Sequence, residues 1–175
     1  MRYFCHDHPD TLSLEARVVD ARPGAVALDQ TPFHPGGGGQ LADRGCLRWS
    51  GGETKVVGFE LSGDTLWHVL AAPIELQGTV EAQVDPAFRS LMAQLHTGTH
   101  VLNALVFQRF QGALVTGAQL KDDGSARMDF ADRQRARGRR STIRLPSQPW
   151  RSVCRKRADG QSAETFWRSG GRLRR

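Results

Sequence analysis

The sequence lacks long apolar runs and has few cysteines. No stretch of about 18 consecutive apolar residues occurs, which excludes a membrane-spanning helix. The first residues lack the apolar segment of a secretory signal, and the three cysteines form no close pair. We therefore expect a cytoplasmic protein with no disulfides and no membrane association.

Acidic residues are almost absent from the last quarter of the chain. Residues 133–175 contain 14 Lys and Arg but only 2 Asp and Glu, whereas residues 1–132 contain 10 Lys and Arg and 16 Asp and Glu. The formal net charge of +6 therefore comes from an arginine-rich tail. Apolar periodicity is also lost there, so we expect disorder. Two interpretations stay open: an arm that contacts nucleic acid without specificity, and a segment read out of frame from GC-rich DNA.

Short strands separated by glycine and proline turns dominate the first half of the chain. The pattern predicts strands at 12–20, 24–29, 45–49, 54–60, 65–70 and 77–84. Many short strands at close spacing indicate a small antiparallel sheet or barrel. We expect this β-barrel-like domain to occupy residues 1–84.

The apolar spacing becomes helical after residue 84. Asp85 suits an N-cap and Pro86 suits the first turn, and the three-and-four spacing predicts one helix over 86–111, ending at Gly112. A hairpin of strands at 114–120 and 125–130 follows. The fold class is therefore α+β: the barrel-like domain, a partial α/β domain at 85–132, and a disordered basic tail at 133–175.

Two histidines on the predicted helix form a candidate metal site. His96 and His100 lie four positions apart, so both project from one helix face and can bind one divalent cation, most commonly zinc. Their place beside the apolar stripe predicts partial burial. Two polar residues that merely flank a core stripe remain the alternative. The zinc-protease pattern is excluded, because no glutamate lies between the two histidines.

A glycine run follows the second predicted strand. Gly36 to Gly39 lie between His-Pro and Gln40 and match no phosphate-binding template. Glycines at 37, 38 and 39 allow the backbone to approach a ligand closely, with Gln40 as a hydrogen-bonding tip. A flexible linker is the alternative interpretation.

Three strings carry a family resemblance when they are taken together. They are Thr-Pro-Phe-His-Pro-Gly-Gly-Gly-Gly-Gln at 31–40 with Asp-Arg-Gly at 43–45, Arg-Ser-Leu-Met-Ala-Gln-Leu-His-Thr-Gly-Thr-His at 89–100, and the segments 116–120 and 124–130. In this order and spacing they resemble the free-standing alanyl-tRNA editing proteins, relatives of the editing domain of alanyl-tRNA synthetase. The resemblance covers residues 10–130.

This resemblance implies a zinc-dependent hydrolase that removes a wrongly attached amino acid, typically serine, from tRNA specific for alanine. His96 and His100 would be metal ligands, and Thr97 would help to recognise the substrate hydroxyl. Gln40, with Gly37, Gly38 and Gly39, would face the acceptor end of the tRNA. A zinc-activated water suits the cleavage of an aminoacyl ester.

The sequence departs from the family at the second half of the metal site. The family completes its zinc shell with a later Cys-x-x-x-His, but here Cys154 is followed by Ala158, and no histidine occurs after His100. The zinc site is thus incomplete, as expected for a chain truncated or frameshifted after residue 132. His34 and His68 are substitutes if the barrel folds back on the helix. Two alternatives to the enzyme stay open: a non-catalytic tRNA- or RNA-binding module that uses the basic tail, and a remnant that does not fold stably.

Overall fold

The computed structural model describes residues 3–110, 112–131 and 140–145. The chain divides into two compact units, Met1–Met92 and Ala93–Arg175. The first unit contains helix α1 (Phe4–Asp7) and strands β1 (Ser13–Arg22), β2 (Ala25–Leu28), β3 (Gly45–Trp49), β4 (Gly52–Ser62), β5 (Thr65–Leu70) and β6 (Thr79–Val84). Helix α2 (Pro86–Arg109) begins there and continues into the second unit, which also contains β7 (Leu114–Leu120), β8 (Ala126–Ala131) and β9 (Arg140–Leu145). Among the described residues, no helix is both long and apolar enough to cross a membrane.

Six strands of the first unit close into an antiparallel barrel in the order β1-β2-β5-β4-β3-β6. This confirms the expected barrel, and the predicted strands at 45–49 and 65–70 have the observed bounds. Helix α1 was not predicted, because four residues are too few to show a helical period.

Alternating burial along the strands builds the barrel core. In β6, Val80, Ala82 and Val84 are buried while the residues between them face outward. The buried cluster consists of Val26, Phe33, Leu47, Val56, Leu70, Leu76, Val80, Ala82 and Val84. Gly45 is needed where β3 meets β6, because an added Cβ would lie 2.0 Å from the carbonyl oxygen of Gln83.

Helix α2 begins at the predicted cap. The Asp85 carboxylate accepts hydrogen bonds from the backbone N–H groups of Ala87 and Phe88, at 2.9 and 3.1 Å. The helix ends at Arg109, two residues before the predicted bound. Gly112 lies just beyond, with φ +89°, and its N–H donates to the carbonyl of Phe107 at 2.8 Å, a common way to terminate a helix.

Strands β7, β8 and β9 form an antiparallel sheet in that order within the second unit. The predicted hairpin is present as β7 and β8, but β9 was not predicted. The expectation of disorder from residue 133 is therefore wrong for 140–145, which pairs in continuous register with β8. Sequence periodicity missed it because the strand is short and Leu145 is the one buried residue in 141–145. The rest of the tail prediction lies outside the described residues.

Candidate functional site

His96 and His100 face each other across one turn of α2. Their Nε2 atoms are 2.9 Å apart, and the ring centroids are separated by 4.8 Å. Both side chains are exposed, so the prediction of partial burial is wrong. The reason is that each follows a buried residue of the apolar stripe, Leu95 or Thr99, by one position and so turns about 100° away from it.

The surroundings of His96 favour its neutral form. Partial desolvation lowers the pKa of His96, and the neighbouring His100 lowers it further. A hydrogen bond between two ring nitrogens also requires that one of them be unprotonated. Neutral imidazole is the form that binds a metal ion. The lowered pKa of His96 thus favours the form that a cation would require.

The two histidines provide only part of the set of protein ligands that a zinc ion requires. Zinc sits about 2.0–2.1 Å from each imidazole nitrogen, so tetrahedral ligation would move the two Nε2 atoms apart to about 3.3 Å. That is a small shift for exposed rings. Catalytic zinc normally has three protein ligands, and among the described residues no group of three His, Cys, Asp or Glu is arranged to hold a metal. Cys154 lies outside the described residues.

Two threonines flank these histidines differently. Thr97 is exposed, on the part of the helix surface that adjoins His100. Thr99 is buried, and its hydroxyl donates to the carbonyl of His96 at 2.7 Å. The hydroxyl of Thr99 therefore makes its hydrogen bond within the helix. Thr97, the predicted substrate-recognition residue, is exposed to solvent.

The glycine loop, defined here as residues 34–43, belongs to the first unit and has a tight two-residue turn in its middle. Gly37 and Gln40 exchange backbone hydrogen bonds of 3.1 and 3.0 Å. Between them, Gly38 and Gly39 have φ values of +61° and +89°, as in a type I′ turn. The exposed tip is thus Gly38, and Gln40 lies at the base of the turn, not at the tip as the sequence analysis placed it.

A buried ion pair fixes the base of the glycine loop. The Asp43 carboxylate is fully buried and accepts the His34 N–H at 2.6 Å, while the Asp43 N–H donates to the His34 carbonyl at 2.9 Å. The same carboxylate pairs with the guanidinium of Arg89, near the start of α2, whose side chain is 13% exposed. Removing one partner of such a pair costs about 3–5 kcal/mol, because a charge is left buried alone.

Sequence reasoning gave no role to Asp43 or Arg89. The available signal was that both lie in strings that carry the family resemblance. Nothing local reveals the pairing, since the two residues are 46 positions apart.

The two histidines suggested as substitute ligands have other partners inside the first unit. His68 is buried; its Nδ1 lies 3.3 Å from the Val26 carbonyl, which can only accept, and its Nε2 lies 2.8 Å from the Thr31 hydroxyl. His68 is therefore the Nδ1–H tautomer, and both nitrogens are occupied. The Nδ1 of His34 accepts the N–H of Gly36 at 3.0 Å. His68 is thus a structural histidine of the barrel, which corrects its suggested ligand role.

Comparison with known proteins gives the same relationship over most of the chain. Residues 6–88 match the family model described as tRNA synthetases class II (A). Alanine–tRNA ligase from Pyrobaculum neutrophilum is 44% identical over 116 residues, 65% of this chain, and that from Caldivirga maquilingensis is 40% identical over 128 residues, 70% of this chain. Alanine–tRNA ligase from Corynebacterium jeikeium is 35% identical over 122 residues, 66% of this chain.

The chain is related to one segment of the alanyl-tRNA synthetases. Its aligned part covers only 13%, 14% and 14% of the lengths of these three relatives. The barrel, the glycine loop and the ion pair at its base all lie within or directly beside the residues that match the family model. The relationship to alanyl-tRNA synthetase inferred from the three sequence strings is confirmed.

Proposed function

We propose that this chain acts in the editing of mischarged tRNA for alanine, as a hydrolase that cleaves the ester between serine and the tRNA. The observation that carries the proposal is the pair of exposed imidazoles, 2.9 Å apart on α2, in a chain related to alanyl-tRNA synthetases. An ester cleaved at a metal-activated water needs such a metal-binding pair within reach of solvent and substrate.

In this proposal each predicted site residue has a distinct task. His96 and His100 would hold zinc, and zinc would supply an activated water when it is bound. The hydroxyl of exposed Thr97 contacts the serine hydroxyl. This contact favours serine over alanine, because bound alanine would leave the Thr97 hydroxyl without a hydrogen-bond partner. The glycine loop, with Gly37, Gly38, Gly39 and Gln40, contacts the acceptor end of the tRNA, where the absence of side chains permits close backbone approach.

Deacylation of seryl-tRNA for alanine by the full chain tests the proposal. We expect serine release that is abolished by a chelator, restored by zinc, and lost in His96→Ala. The matched control is His8→Ala, since His8 is an exposed histidine outside the pair. Zinc affinity is measured in parallel by competition with a chromophoric chelator. Serine release that survives both chelation and His96→Ala would refute the assignment.

A second candidate is a tRNA-binding module without catalysis. It is favoured by the lack of a third metal ligand among the described residues and by the 14 Lys and Arg residues in 133–175. In that case the logarithm of the tRNA binding constant falls steeply and linearly with the logarithm of salt concentration. Binding with this salt dependence, and no serine release at saturating zinc, would select the module over the hydrolase.

A further inference from the structure

We propose that Arg89 is a positioning residue that, with Asp43, holds the glycine loop in the conformation that receives the tRNA acceptor end. The inference rests on the proposed function for the identity of the ligand. The positioning itself rests on contacts within the first unit, and it can be tested without tRNA.

The Arg89 guanidinium joins three separate segments of the chain. Its Nε lies 3.1 and 3.0 Å from the two Asp43 carboxylate oxygens, and one terminal nitrogen also contacts that carboxylate. The terminal nitrogens further donate to the backbone carbonyls of Pro32, at 2.6 Å, and Pro9, at 2.8 Å. One planar, five-donor group thus connects the residues before the loop, the residue that ends it, and the segment after α1.

These contacts fix the two ends of the loop and leave its tip open. Asp43 is bonded to His34 through both its backbone and its carboxylate, so the loop is closed at its base. Gly37 and Gly38 are exposed, and an added Cβ at either would meet nothing within 4 Å. Consecutive glycines lose more conformational entropy on ordering than any other residues. Such a tip stays in one conformation only while its ends are held, and a preordered loop binds more tightly.

The simpler explanation is that the pair only stabilises the barrel. The two explanations differ in what a mild disturbance does to a folded protein. If the pair is only structural, a variant that remains folded keeps an ordered loop and unchanged tRNA affinity. If it positions the loop, mobility at residues 36–40 and affinity change together while the barrel strands remain ordered.

The decisive variants are Arg89→Lys and Asp43→Glu in the full chain, which preserve both charges but not the fork geometry. Glu53→Gln is the control, since it removes the carboxylate of an exposed ion pair with Arg48 between β3 and β4. Backbone order parameters are measured by ¹⁵N relaxation, and affinity by titration with a transcript of tRNA for alanine. In both loop variants we expect order parameters at residues 36–40 to fall from about 0.85 to below about 0.6. We expect tRNA affinity to weaken about tenfold, with the control unchanged.

Unchanged loop order in either variant, with a folded barrel, would overturn the positioning role. Mobile loops with unchanged tRNA affinity would overturn its link to the ligand. If the unaltered chain does not bind the transcript, the proposed function fails, while the relaxation data still decide whether Arg89 orders the loop. If one variant unfolds, the other variant decides, because one alters the guanidinium of the ion pair and the other alters its carboxylate.

Discussion

His68 makes the stability of the barrel depend on pH. The ring is buried in the barrel, with edge contacts to Phe33 and Phe59. Burial lowers the pKa of His68 from its ordinary value of 6.5 to about 4, and the hydrogen bond to the Val26 carbonyl opposes this only in part. Protonation would also turn Nε2 into a donor and end its acceptance from Thr31.

The sign and size of the effect follow from linkage. Because the pKa of His68 is lower in the folded state, the unfolded chain binds more protons between pH 6.5 and 4. The stabilising contribution is present above pH 6.5 and is lost as pH falls toward 4. With these pKa values the free energy of unfolding should drop by about 2 kcal/mol between about pH 7 and about pH 5.

Urea unfolding of the full chain at a series of pH values, followed by tryptophan fluorescence, measures this dependence. We expect His68→Gln to remove most of the decrease in the free energy of unfolding between about pH 7 and about pH 5, because glutamine does not titrate. This holds whatever the effect of the substitution on stability at neutral pH. His8→Gln, at an exposed position, should retain the slope. The same slope in His68→Gln and the unaltered chain would refute the reasoning, since another group would then take up the proton.

Two further substitutions test local structure by urea unfolding. Asp85→Ala should lower the free energy of unfolding by about 1 kcal/mol, since two N–H groups of α2 lose their acceptor; Asp64→Ala, in the exposed turn after β4, should change it little, and equal effects would contradict the capping role. Gly38→Ala should cost about 1–2 kcal/mol, because alanine is strained at φ +61° although space is available. A stabilised Gly38→Ala variant would show that the loop does not hold this turn in solution.

The local elements of this protein were determined by the sequence. Alternating apolar residues specify β6, and the Asp85-Pro86 pair specifies where α2 begins, because both signals act between residues a few positions apart. The same holds for the spacing of His96 and His100, which brings two nitrogens to 2.9 Å by helix geometry alone. The family relationship could also be inferred from the sequence, since it depends on the order and spacing of short sequence motifs.

Only the tertiary structure decided which distant residues meet. Asp43 contacts Arg89, 46 positions away, because the fold of the first unit places the glycine loop beside the start of α2. His68 contacts Val26, 42 positions away, because β2 and β5 pair in the barrel. Strand β9 likewise depends on its partner, since its weak apolar pattern becomes a strand only when β8 supplies the backbone hydrogen bonds. Burial of His68 also depends on tertiary structure, since its ring is enclosed only when the barrel has closed around it. Local patterns set the backbone period, while partners and burial arise from contacts that no short window of sequence contains.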